Sequence, residues 1–156
     1  MDLVEELLGL IESLHDAGTE YAVCGGIALA IHGFPRFTKD IDLLVRVADL
    51  DRVRTAASQR GYSLEGGRMS FGAGTQTARE MLRLSKAEGS DLLTLDLLLV
   101  SPALEDAWKS RWRIEWRGRQ VSVVSRDGLV QMKRISGRPQ DLVDVDRMLG
   151  PSEGNR

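Results

Sequence analysis

The run LLTLDLLLV, residues 92–100, constrains this chain more than any other feature of its sequence. It is about half the length that a membrane-crossing helix requires and it carries an aspartate, so it does not span a bilayer. Read as a strand, it belongs in a core, and Asp96 is then a single acid in an otherwise apolar run. A carboxylate in that setting sits at a bulge, accepts backbone hydrogen bonds, or serves a site.

The flanking sequence supplies the other elements of an α/β (α+β) domain. Leu3, Leu7, Leu10, Ile11 and Leu14 recur at helical spacing, with Asp2 as N-cap and Gly18 beyond the end. Tyr21 opens a short strand, YAVCG; a Gly25-Gly26 turn and a short helix, IALAIH, follow, closed by Gly33 and Pro35. KDIDLLVR is the next strand, and residues 49–60 form a helix. A meander, YSLEGGRMSF, REMLRLSKA and LLTLDLLLV, comes next, with GGRMSFGAGTQT as a hairpin loop. SPALEDAWK reads as a helix capped by Ser101 with Pro102 at its first position, and RWRIEWRGRQVSVVS as a hairpin turning at Arg117-Gly118. Two helices end the domain, one over 125–136 and one from Pro139 to Gly150; residues 151–156 are expected to fray.

The chemistry concentrates between residues 25 and 45. Side chains alternate along a strand, so Asp40 and Asp42 share one face while Ile41 and Leu43 enter the core on the other. Two carboxylates held side by side repel unless a cation lies between them, and their hard oxygens suit Mg²⁺ or Mn²⁺. Glycines at a strand-to-helix turn let the backbone approach a phosphate. Asp96 is placed to be a third acid, and three acids on one sheet face are the donor set of two-metal phosphoryl transfer. Taken singly, each feature has a plainer meaning: a solvated edge, an ordinary turn, a bulge. Their order and spacing favour the site.

Composition narrows the alternatives. A chain of 156 residues, 42% hydrophobic and 28% charged, suits a single globular domain. One cysteine, Cys24, and two histidines exclude an internal disulfide and the common zinc sites, so any catalytic metal must be held by carboxylates. The acidic N-terminus is unlike a signal peptide, which leads to the expectation of a cytoplasmic protein without membrane attachment. Net charge is −2, yet Lys109 to Arg138 holds nine basic residues against Glu115 and Asp127, or +7, leaving −9 elsewhere. Such a segment is either a solvated ribbon or a surface for an anionic polymer. No Walker loop, dinucleotide fingerprint or serine-hydrolase elbow is present.

GGIALAIHGFPRFTKDIDLLV resembles the DNA polymerase beta-like nucleotidyltransferase superfamily, and within it the abortive-infection or toxin branch, where GG, ALA, HG, R, T and DID recur in this order. The resemblance continues at the C-terminus with Leu129 and Lys133, then Arg138, Asp141 and Asp144. It implies a twisted mixed sheet with helices mainly on one side, forming a single nucleotidyltransferase domain over residues 1–150. It implies metal-dependent attack of an acceptor hydroxyl on a nucleoside triphosphate, with release of pyrophosphate. Asp40, Asp42 and Asp96 would be the catalytic and metal-binding acids, and Gly25, Gly26, Arg36, Lys133 and Arg138 the triphosphate-binding residues. Gly26 stands where many members carry a serine; Arg83 and Lys86 are the candidates for a lysine-containing element found in some toxins.

Several readings stay open at this level. The acceptor is RNA, a protein or a small molecule such as an antibiotic, and a toxin would have a cognate antitoxin. A non-catalytic nucleotide-binding or antitoxin-like module would bind triphosphate without turnover. Lys133 is either a phosphate ligand or a snorkelling helix lysine, and Arg138 with Asp141 and Asp144 reads mainly as a structural ion-pair cluster. Arg36 and Lys39 flank the Asp pair and would balance its charge. His15, His32 and Cys24 read as packing residues. Neutralising any one of the three site aspartates is expected to leave the metal-free protein equally or more stable.

Overall fold

The computed structural model describes residues 2–150; the tail PSEGNR lies outside the described residues. α1 (Leu3–Asp16) is followed by β1 (Ala22–Cys24), α2 (Gly25–Ile31), β2 (Asp40–Val45) and α3 (Leu50–Gln59). The meander is β3 (Leu64–Phe71), β4 (Arg79–Glu88) and β5 (Asp91–Leu99). Then come α4 (Glu105–Lys109), the hairpin β6 (Trp112–Trp116) and β7 (Arg119–Val123), α5 (Arg126–Ser136) and α6 (Pro139–Leu149). All strands join one mixed sheet of seven in the order β3-β4-β5-β2-β1-β7-β6.

The apolar run of β5 is explained by its neighbours. It pairs parallel with β2 on one side and antiparallel with β4 on the other. An internal strand of a covered sheet needs apolar side chains on both faces. Ile41 and Leu43 of β2 lie opposite Leu95 and Leu97 of β5, and all four are fully buried. Helix α1 lies against β2 and α3, while α5 meets α2, α4 and α6. The opposite face of the same strands carries the acids.

Helix ends follow sequence chemistry. The Asp2 carboxylate accepts from the Val4 amide at 2.9 Å, and the Ser125 hydroxyl accepts from the Gly128 amide at 2.9 Å. Each removes an orphan donor from a first turn. The tight turn at Arg117-Gly118 places both residues at positive φ, 53° and 77°. That is the handedness a two-residue hairpin loop requires.

Two local expectations are corrected. The strand expected over YSLEGGRMSF is β3, and the reading of GGRMSFGAGTQT as a hairpin loop is corrected for residues 66–71, which belong to that strand, with the pairing register shifting between Glu65 and Arg68. A bulge absorbs the extra glycine, so only residues 72–78 leave the sheet. Ser101 caps no continuous helix: a 3₁₀ turn, Pro102–Leu104, precedes α4, and the buried Ser101 hydroxyl has no hydrogen-bond partner. The 3₁₀ turn displaces the start of α4 beyond the serine's reach.

Candidate active site

One row of residues crosses four strands. Cys24 on β1 pairs with Asp42 on β2, Asp42 with Asp96 on β5, and Asp96 with Arg83 on β4. Because directly opposed residues point to the same face, the row brings two carboxylates and a guanidinium together over the sheet. Asp40, two residues before Asp42, joins them. They line a cleft of about 630 Å³.

Asp42 is in the most strained electrostatic position of this group. Burial, then the charges of Asp96 and Asp40, push its carboxyl up to about 7. No hydrogen bond is among the influences on it, and Lys133 and Arg138 offset the repulsion only through space. Asp40 is raised too, by burial first and Asp96 second, against the pull of Arg83, Lys39 and Arg138. Asp96 is 4% exposed and accepts two bonds from Arg83, from Nε at 2.8 Å and Nη2 at 3.1 Å.

The glycines do more than turn the chain. A Cβ on Gly25 would lie 2.1 Å from Oδ2 of Asp42, and Gly25 is at φ +66°. The carboxylate therefore rests on bare backbone, which only glycine provides. A Cβ on Gly26 would lie 2.8 Å from both Cβ and Oγ1 of Thr38, so that threonine fills the space beside the second glycine. Thr38 lines the cleft and was not among the sequence candidates. It lies in the loop before β2, where strand alternation does not apply.

The cationic wall comes from the last two helices. The Lys133 ammonium is buried, 2.9 Å from Asp144 and 3.7 Å from Asp141. Arg36 donates from Nε to both oxygens of Asp144, at 3.0 and 3.1 Å, and Gln140 adds a third donor at 2.9 Å. Burial opposes ionisation of Asp144, but these bonds hold its carboxyl below the usual range. Arg138 bonds Asp141 at 2.9 Å with most of its side chain open to solvent. Arg36, Lys133 and Arg138 all face the cleft, and each is already tied to an α6 carboxylate. The expectation that Arg36 balances Asp40 and Asp42 is corrected accordingly: its guanidinium belongs to Asp144.

The donor set suits a hard divalent cation at Asp40 and Asp42, where a half-buried carboxylate lacks a donor and its neighbours repel it. Among the described residues no three acids, histidines or cysteines stand close enough to hold a metal unaided. The third acid is engaged by Arg83.

The basic segment does not form a stripe. Arg113 and Arg119 occupy opposite faces of the β6–β7 hairpin. Arg111 stacks on Trp108 at 3.9 Å and meets Glu20 at 3.3 Å, while Arg119 meets Glu12 at 3.6 Å. The charge excess of one part of the sequence is partly answered by the acids of the other. His32 bonds the Val124 carbonyl at 2.8 Å, and Cys24 is buried with its thiol pushed well up, chiefly by burial.

Residues 9–84 match the family described as nucleotidyl transferase AbiEii toxin, Type IV TA system. The match covers just under half of the chain and is to a family of nucleotidyltransferases. The matched segment contains β1, the two glycines, Asp40, Asp42 and Arg83; Asp96 and the cationic wall lie beyond it. No curated protein matches the chain. Among solved structures, a candidate nucleotidyltransferase from Thermotoga maritima, TM1012, superposes with a TM-score of 0.62 at 14% identity, covering 98% of this chain and 93% of that one. The lincosamide antibiotic adenylyltransferase LnuA, bound to lincomycin, gives 0.61 at 14% identity, covering 95% and 97%. ANT(2")-Ia in complex with adenylyl-2"-tobramycin gives 0.55 at 13%, covering 94% and 90%. At these identities the likeness establishes the nucleotidyltransferase fold. No described helix is long and apolar enough to cross a membrane.

Proposed function

We propose that this domain transfers a nucleoside monophosphate from a triphosphate to an acceptor hydroxyl, releasing pyrophosphate, and acts as a toxin on RNA or protein under the control of a cognate antitoxin. The observation that carries the reading is Asp42: an acid kept half-buried, without a hydrogen bond, beside two other acids and against bare glycine backbone. A fold tolerates such crowding where the charge is used.

Asp40 and Asp42 would hold Mg²⁺ or Mn²⁺, with Asp96 as the third acid. The ion's chemistry is to activate the acceptor oxygen and neutralise charge on the phosphates. The chain's own residues do the rest. Gly25 and Gly26 let the phosphates approach the backbone. Arg138, the most open of the three wall cations, meets the triphosphate by charge-assisted bonds. Lys133 and Arg36, fixed by Asp144, keep the wall positive behind it and orient the nucleotide against Asp42.

The test is incubation with each labelled nucleoside triphosphate and Mg²⁺ or Mn²⁺ in the presence of total RNA, total protein or a panel of aminoglycosides and lincosamides. Label in RNA or protein, together with growth arrest on expression, supports the toxin reading. Label only in an antibiotic moves the domain to small-molecule modification. Triphosphate binding without pyrophosphate release leaves a non-catalytic module and overturns both.

A further inference from the structure

Asp96 lies between two competing neighbours. On one side, across β2, is Asp42, which gains from sharing a cation; on the other, across β4, is Arg83, which already provides one. The Arg83 pair is bidentate, and both carboxylate oxygens accept from it at 2.8 and 3.1 Å. A carboxylate with both oxygens bonded to a guanidinium has reduced capacity to ligate a metal. The two partners differ in freedom. The Asp96 side chain is 6% exposed, whereas that of Arg83 is 44% exposed and borders the cleft. The arginine can therefore leave by rotating its own side chain, with no movement of β4 or β5.

A destination for it exists in the same cleft. Triphosphate oxygens offer a guanidinium the same bidentate geometry that a carboxylate does. Arg36, Lys133 and Arg138 are each bonded to α6 carboxylates, so Arg83 is the cation paired with a residue of the acid row itself.

We propose that Arg83 is an internal counter-ion for the metal-free site, which holds Asp96 until a triphosphate takes the guanidinium and frees the carboxylate to complete the metal centre. This rests on the nucleotidyl-transfer reading of the same cleft. It makes Arg83 a positioning residue that acts on metal binding through Asp96. It also makes the two ligands cooperative, because each removes one half of the pair that excludes the other.

The experiment is a Mn²⁺ titration followed by electron paramagnetic resonance, alongside triphosphate binding measured in chelator, on wild type, Arg83→Gln, Arg83→Lys, Asp96→Asn and the Arg83→Gln/Asp96→Asn pair. Arg83→Gln should bind Mn²⁺ alone roughly tenfold more tightly than wild type, and triphosphate alone roughly tenfold more weakly. In the Asp96→Asn background the Arg83 substitution should change Mn²⁺ affinity far less, by no more than the through-space charge it removes near Asp40 and Asp42. Arg83→Lys, which keeps a charge over the buried acid should Arg83→Gln not fold, should fall between wild type and the Gln variant in both measurements. Unchanged or weaker Mn²⁺ binding by both variants, while wild type binds both ligands, overturns the inference and leaves the nucleotidyl-transfer reading intact. Wild type that binds neither Mn²⁺ nor triphosphate overturns the two together.

Discussion

Asp42 and Asp96 are directly paired across the parallel strands β2 and β5, yet only Asp96 has a cation bonded to it. The two acids therefore carry opposite consequences for stability, although sequence reasoning treated them alike. Replacing Asp42 by Asn removes a repelled charge and should raise the Tm of the metal-free protein by several degrees at pH 8. Replacing Asp96 by Asn leaves Arg83 without its carboxylate and should lower Tm. Both should abolish nucleotide transfer. Calorimetry with a transfer assay decides it, and a destabilised Asp42→Asn protein would count against the electrostatic account.

The raised Asp42 carboxyl also fixes a pH dependence. Below pH of about 4 the group is protonated in both the folded and the unfolded chain, so it contributes no difference. From there to about 7 the unfolded chain has lost the proton and the folded one retains it. Its contribution to metal-free stability is therefore lost progressively as pH rises through that window. The wild type minus Asp42→Asn difference in Tm should widen from pH 4 to pH 7.5. A difference that is flat across this range would show that the carboxyl titrates normally.

The contact between Gly26 and Thr38 predicts a paired substitution. With Thr38 in place, a Cβ at residue 26 meets two of its atoms at 2.8 Å, so Gly26→Ser and Gly26→Ala should both lose stability and triphosphate affinity. Many members of the superfamily that the sequence resembles carry a serine at this position, and here Thr38 occupies the space its Cβ would need. Combining Gly26→Ser with Thr38→Ala makes room and should restore folding, together with much of the affinity. Thermal melts and triphosphate titration of the single and double variants measure the coupling; additive losses would show that the two positions do not compete for space.

Asp144 is fully buried with Arg36, Lys133 and Gln140 on its oxygens. Asp144→Ala should cost about 3–5 kcal/mol, since it leaves the Lys133 charge buried without its nearest partner. The lowered carboxyl pKa of Asp144 contributes stability above the ordinary Asp range that is lost as pH falls through the folded value. Denaturant unfolding of Asp144→Ala at pH 7 and pH 3 checks both: the gap from wild type should shrink at the lower pH.

The acids and glycines were legible because their signals are local. Alternation puts Asp40 and Asp42 on one face, and Asp96 stands out against leucines. Arg83 was a candidate only for a lysine-containing element of the family it resembles, because its pairing with Asp96 depends on the register of the β4–β5 hairpin, in which Glu88 faces Asp91. The Thr38–Gly26 contact joins a loop to a helix start, and no periodicity reports such packing. The cluster of Arg138, Asp141 and Asp144 was expected to be mainly structural; Arg138 bonds Asp141, Asp144 is held instead by Lys133, Gln140 and Arg36, and the arrival of Arg36 had no sequence signature. The charge balance of the basic segment was not legible for a related reason: charge counted along a chain ignores that Glu12 and Glu20 of the acidic part meet Arg119 and Arg111 in space.

The Arg36–Asp144 bond spans 108 positions of sequence, and it joins the segment leading into β2 to the last described helix. Every strand of the sheet is synthesised before Asp144 is. A growing chain can thus pair its strands and still lack the carboxylate that fixes Lys133 and Arg36 beside the cleft. The cationic wall of the cleft is therefore assembled after the sheet, once α6 has been made.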